Sequence, residues 1–242
     1  MYAIIVGASS AIGKEVCKIL LKEGWTVGIT TRDLSKIKDL VGVKSAICLD
    51  VNEENATVKL KKLIEETGGM DLYLHVSGIG KQNPHLNEDI ELQTVKTNAL
   101  GFTHMIDFVF NYMAKHKKGH IAVISSIAGT KGIGVSPAYS ATKVFDSTYI
   151  ESLEQLAKMR ELNISFTDIR PGFVDTPLLE GDYTYPMMMK ADYVARMIVK
   201  ALKKKKSIII IDWKYKILVF FWRLIPHCLW VRMNIGRITP IE

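Results

Sequence analysis

A chain of 242 residues with 32 Lys/Arg, 25 Asp/Glu and a formal net charge of +7 is long enough to bury a substantial core, and single α/β domains commonly reach this size. Its three cysteines, Cys17, Cys48 and Cys228, form no C-x-x-C pair and no ligand spacing with the six histidines, which argues against a disulfide scaffold or a bound metal and fits a cytoplasmic setting. The charge is uneven: residues 203–242 hold nine Lys/Arg against Asp212 and Glu242, the whole of the excess, so an anionic partner is expected to meet the C-terminal tail.

The chain enters directly into an apolar run at 2–6, without the basic start and cleavage site of a signal peptide, so export is not expected. Short β-branched runs at 2–6, 25–31, 44–49, 71–76, 119–125, 163–169 and 207–211 predict strands, and longer helical patterns fill the gaps. That alternation is the pattern of an α/β fold, a doubly wound parallel sheet covered on both faces. The first helix is expected to start after Ser9-Ser10 and to stop at Gly24, and a later one to begin near Ala191. Four lysines at 203–206 precede the last run, 207–211, where flanking charge suits an edge strand.

Two segments carry chemistry. Gly7, Ser9, Ser10, Ile12 and Gly13 link the first strand to the first helix, where small residues let backbone amides approach a pyrophosphate; a plain strand-to-helix turn is the alternative. Tyr139 and Lys143 stand four residues apart, on one face of a helix. A phenol titrates near 10, too high for efficient proton exchange near neutrality, and an adjacent ammonium favours the phenolate.

Together these features resemble the short-chain dehydrogenase/reductase family over most of residues 2–211, with two departures from its Thr-Gly-x-x-x-Gly-x-Gly motif: Val6 replaces the threonine and Ala11 the middle glycine. The resemblance implies a Rossmann-like fold and Asn98, Ser126, Tyr139 and Lys143 as catalytic residues. Spacing from Tyr139 favours Ser126 over Ser125 as the serine that stabilises a carbonyl oxygen, and Asn98 matches the asparagine that holds a proton-relay water. Thr31 occupies the place of the acidic residue that NAD-using members carry, and Arg32 follows it, with Lys14 as a second cation; NADP(H) is therefore the expected cofactor. Asp50 and Val51 are implied at the adenine, and Ser77 and Gly78 line the site where the family usually reads Asn-Asn-Ala-Gly. His75, first of that quartet, is read as a hydrogen-bonded core residue. Pro171, Gly172, Val174 and Thr176 match the segment that covers the nicotinamide, Val174 through its backbone at the carboxamide and Thr176 near the phosphates.

The stretch 177–189, rich in Met and Tyr, is expected to close over a hydrophobic or lipid-like substrate, with packing of its methionines on the sheet as the alternative. The expected organisation is a dinucleotide-binding and catalytic domain at 1–212 followed by an amphipathic tail at 213–242. In that tail six Trp, Tyr and Phe residues between 213 and 230 mix with cations, and in a helix, which Pro226 is expected to kink, Lys216, Arg223 and His227 would fall on one stripe. An anionic membrane surface is the expected partner of 213–233, a second copy of the chain the competing one, and nucleic acid is not expected. The functional expectation is an NADP(H)-dependent oxidoreductase that reduces a carbonyl or oxidises the alcohol. A non-catalytic NADP-binding scaffold is the alternative, and a sugar-nucleotide epimerase fits less well because that branch has a larger C-terminal domain.

Overall fold

The computed structural model describes residues 1–176 and 185–235. Seven parallel strands, β1 (Tyr2–Val6), β2 (Thr26–Thr31), β3 (Ser45–Cys48), β4 (Leu72–His75), β5 (Lys118–Ile124), β6 (Asn163–Arg170) and β7 (Ile208–Ile210), form one sheet in the order β3-β2-β1-β4-β5-β6-β7. Each lies within a residue or two of its expected position, and β7 is the edge strand that the lysine-flanked isoleucine run predicted.

The chain winds outward from β1 to β3, then crosses back to place β4 on the other side of β1. The strand order reverses between β1 and β4, and the crevice beyond their carboxyl ends is where such sheets bind ligands. One face of the sheet is covered by α1 (Ala11–Lys22) and α6 (Ala191–Lys203), the other by α2 (Ala56–Thr67), α4 (Phe102–His116) and α5 (Pro137–Met159), giving two separate apolar cores. The amphipathic period puts Val16, Cys17 and Leu20 of α1 inward, and the helix stops before Gly24. A shorter α3 (Glu88–Val95) runs through a π-helical stretch at Lys96–Gly101 into α4.

After β7 the tail forms α7 (Trp213–Leu224) and α8 (His227–Trp230), separated at Ile225 and Pro226. Proline has no amide hydrogen and disfavours helix in the residue before it, so α7 ends there. The tail is not a loose appendage. Tyr215 and Val219 are buried in the same core as α1 and α6, Trp222 donates to Thr130 Oγ1 (2.8 Å), and Trp230 donates to the Gly132 carbonyl (2.8 Å). The boundary expected at 212 therefore separates composition, not packing. The outward side exposes Trp213, Phe220, Phe221, Leu224 and Leu229. Among the described residues no helix is long and apolar enough to cross a membrane.

Candidate active site

The β1–α1 loop is shaped by close backbone approach. Gly7 has φ +88°, and a Cβ there would lie 2.7 Å from the Ser77 nitrogen, so only glycine lets this turn pass the end of β4. Ser10 caps α1: its hydroxyl accepts from Gly13 N (3.0 Å) and donates to Gly7 O (3.0 Å). Gly13 is held against Gly7 and Ala8, and Ile12 is buried beside it. Gly7, Ser9, Ser10, Ile12 and Gly13 thus converge at the N-terminus of a twelve-residue helix, beside Ser77 and Gly78.

Beyond β2, Thr31 is buried and its hydroxyl is engaged by the Asp33 backbone, while Arg32 is exposed. Asp33 turns its carboxylate onto the Ser35 amide and hydroxyl, which hold it below the usual carboxylate range. Lys14 differs from the expectation of a second available cation: its ammonium is paired with Asp39 at 2.8 Å. Asp50 uses its carboxylate to accept from Asn52 N (2.9 Å), and Val51 packs under Gly101.

The four catalytic candidates come from three places in the fold. Asn98 lies in the π-helical stretch, buried, with Oδ1 accepting from Ile79 N (2.9 Å) and Nδ2 donating to Ile79 O (2.7 Å) and Thr142 Oγ1 (3.2 Å). Its carboxamide is a strut between the loop after β4 and α5. Ser126 follows β5 and caps a short 3-10 turn through Ala128 N (3.1 Å), whereas Ser125 is turned into the sheet against Asp168. Tyr139 and Lys143 share one face of α5, with the ammonium 5.9 Å from the phenol ring centroid. The loop after β4 passes beneath them: a Cβ at Gly78 would lie 3.5 Å from Asn98 Oδ1 and 3.6 Å from Lys143 Nζ, and one at Gly80 2.6 Å from the Tyr139 ring.

After β6, buried Pro171 accepts from the Ile127 amide (3.1 Å), which joins this segment to the turn after Ser126. Gly172 packs on the ring of Tyr215, and Val174 bridges in parallel to Met189, through Met189 N donating to Phe173 O and Asp175 N donating to Met189 O (both 2.9 Å). Thr176 is partly buried. Of the expected substrate cover, 177–184 lie outside the described residues; Met189 is buried in the core, and Met187 and Met188 are exposed.

A family model described as short chain dehydrogenase matches residues 1–184. The chain belongs to the short-chain dehydrogenase family. It is 27% identical over 236 residues to an uncharacterized oxidoreductase of Myxococcus xanthus, covering 93% of this chain and 92% of that one. Its fold is similar to that of a short chain dehydrogenase from Burkholderia cenocepacia in complex with NADP (TM-score 0.82, 16% identity, 97% and 98% of the two chains) and to that of ElxO with NADP bound (TM-score 0.77, 23% identity, 87% and 96%).

Several residues of this short-chain dehydrogenase site escape a linear reading. Lys143 is buried and donates to Ile124 O (3.0 Å) and to Asp146 (2.9 Å) on the next turn of α5. Burial pulls the ammonium down, but Asp146, the Tyr139 phenol and Asp168 outweigh it and hold the pKa above the ordinary value. Burial pushes the Asp146 carboxyl up to about 6 against the pull of Lys143. Asp168 is itself held by Arg170 (2.7 Å) and Ser125. The i, i+3 spacing of Lys143 and Asp146 was available as a signal. No spacing announces Glu91 of α3, whose carboxylate accepts from Ala138 N (3.0 Å) and caps the helix that carries Tyr139, in place of the uncapped Ser136.

Proposed function

We propose that the chain exchanges hydride between NADP(H) and an alcohol/carbonyl pair, with Tyr139 as the proton-transfer group. The observation that carries this reading is the stacking of Tyr139, the Lys143 ammonium and the Asn98 carboxamide around Gly78–Gly80 at the strand-order reversal. The residues present fit a dinucleotide: the α1 N-terminus faces the crevice, no carboxylate ends β2, and Arg32 is exposed beside it for a 2′-phosphate. Two solved structures of similar fold carry NADP, which supports the same choice here. When bound, the nicotinamide supplies or accepts the hydride. Ser126 donates to the substrate oxygen, Tyr139 gives its proton to that oxygen as the alcohol forms, and Lys143 stabilises the resulting phenolate. Gly7, Ser9, Ser10, Ile12, Gly13, Asp50, Val51, Ser77, Gly78, Pro171, Gly172, Val174 and Thr176 line the cofactor.

The substrate is read as hydrophobic or lipid-like. The exposed aromatic and aliphatic face of α7 and α8, mixed with Lys214, Lys216 and Arg223, suits an anionic membrane surface, where such a substrate resides.

Purified protein, NADPH and a panel of soluble and lipid-linked ketones and quinones test the central reading through loss of NADPH absorbance. Tyr139→Phe is expected to lower turnover about 100-fold or more while NADPH still binds, because the ring remains and the transferable proton is gone. Undiminished turnover in that variant removes Tyr139 from the chemistry; NADPH binding without turnover of any carbonyl by the wild type favours a scaffold.

A further inference from the structure

The hydroxyl of Tyr215, on the first tail helix, bonds both stems of the chain segment that leaves β6 and returns to α6. It accepts from Phe173 N (3.0 Å) and donates toward the carbonyls of Pro186 (3.2 Å) and Met187 (3.1 Å). Its ring, 1% exposed, fills the space beside Gly172 so closely that a Cβ there would overlap it, and meets the Phe173 ring edge-on at 6.4 Å. All three bonds thus act on backbone groups of the two stems that the Val174–Met189 bridge joins. That bridge uses Phe173 O and Asp175 N, so the geometry of a parallel ladder turns the N–H and C=O of Val174 away from Met189.

Among the described residues of the loop, none accepts from Phe173 N as Tyr215 does. A backbone amide in a partly buried loop needs an acceptor, and Phe173 N finds it 42 residues along the chain. The helix that presents the phenol is fixed independently, by Val219 in the core, by Trp222 on Thr130, and by Lys131 donating to Ile225 O (2.9 Å). Residue 215 lies beyond the 1–184 stretch matched by the family model, so this contact belongs to the tail of this chain.

We infer that Tyr215 is a positioning residue for the nicotinamide end of the cofactor site: it holds Gly172–Val174 at a set distance from the sheet, so that the tail helix completes the site. The inference rests on the NADP(H) reading above, in which the Val174 backbone meets the carboxamide. It adds that the carboxamide end depends on one phenolic hydroxyl, while the adenine end, built from β1, β2 and α1, does not.

The test compares full-length wild type with Tyr215→Phe, which keeps the ring against Gly172 and deletes only the hydroxyl. Calorimetric titration with NADPH and with 2′,5′-ADP separates the two ends, since the second ligand lacks the nicotinamide half. NADPH affinity is expected to fall about three- to tenfold, the loss of one or two neutral hydrogen bonds, with 2′,5′-ADP affinity unchanged within about twofold. Amide exchange in peptides covering 171–176, measured without ligand, is expected to quicken. Equal weakening of both ligands marks a general structural role and overturns the inference, as does unchanged binding of NADPH. A wild type that binds neither ligand removes the cofactor reading itself. Faster exchange in Tyr215→Phe would then keep the clamp as a fact of the loop and discard its link to nicotinamide. Unchanged exchange refutes the clamp whatever the ligands do.

Discussion

The buried His75 predicts how the fold responds to acid. Its ring is 3% exposed at the end of β4, shares a 2.8 Å hydrogen bond through Nδ1 with Tyr73 Oη, and meets the Phe102 ring edge-on at 5.2 Å. Burial, assisted by the Lys143 charge, lowers its pKa to about 3 from an ordinary 6.5. Between those values the unfolded chain binds a proton that the folded chain refuses, so the contribution to stability is complete above pH 6.5 and is lost as pH falls toward 3. At pH 5 the loss from this one group is about 2 kcal/mol. His120, held to about 4 by burial, adds a loss of similar size. Asp146 works the other way: its folded pKa is raised to about 6, so protonation below that value favours the folded state and returns about 1 kcal/mol by pH 5. Urea unfolding of the wild type at pH 8 and pH 5 should therefore differ by about 3 kcal/mol from these groups, and His75→Asn should remove about 2 kcal/mol of that difference. Asparagine is the substitution of choice because its amide stands near the Nδ1 position and keeps a partner for Tyr73. The comparison between two pH values cancels any packing loss in the variant. An equal pH dependence in both proteins would refute the assignment of His75 as a neutral buried ring.

Two further predictions concern the charged periphery. Arg32→Ala is expected to weaken NADPH binding about tenfold or more and to leave NADH nearly untouched, since only the former offers a 2′-phosphate to a charge-assisted bond; equal losses, or a wild type that prefers NADH, would dismiss the role. Vesicles of phosphatidylcholine with phosphatidylglycerol should retain the full-length protein at low salt and release much of it at high salt, because exposed charges are screened within about 8 Å at physiological ionic strength. Neutral vesicles should retain less; indifference to all vesicles, with a dimer in sedimentation, would assign the face of α7 and α8 to a subunit interface.

The sequence by itself determined the sheet. Apolar runs of period and length suited to buried strands, separated by amphipathic helices, have few other ways to satisfy their backbones, and all seven strands stand where that pattern put them. It also put Tyr139 and Lys143 on one helix face, because four residues is close to one helical turn. Local chemistry carried the start of α1 after Ser9-Ser10, while at Pro226 the expected kink is a full break between α7 and α8. What lay beyond reach were partners chosen across the sheet. Ser125 and Ser126 are neighbours in sequence, yet one faces Asp168 across 43 residues and the other caps its own turn. The cation at Lys14 was legible, but its neutralisation by Asp39 was not. The tail was legible as basic and aromatic, a property of composition; that Tyr215 reaches the loop after β6 is a property of where β7 ends and α7 begins. Local periodicity is encoded residue by residue and survives in a linear reading. Which buried donor meets which acceptor is decided only when the chain has closed, because burial makes every polar group find a partner without specifying from where.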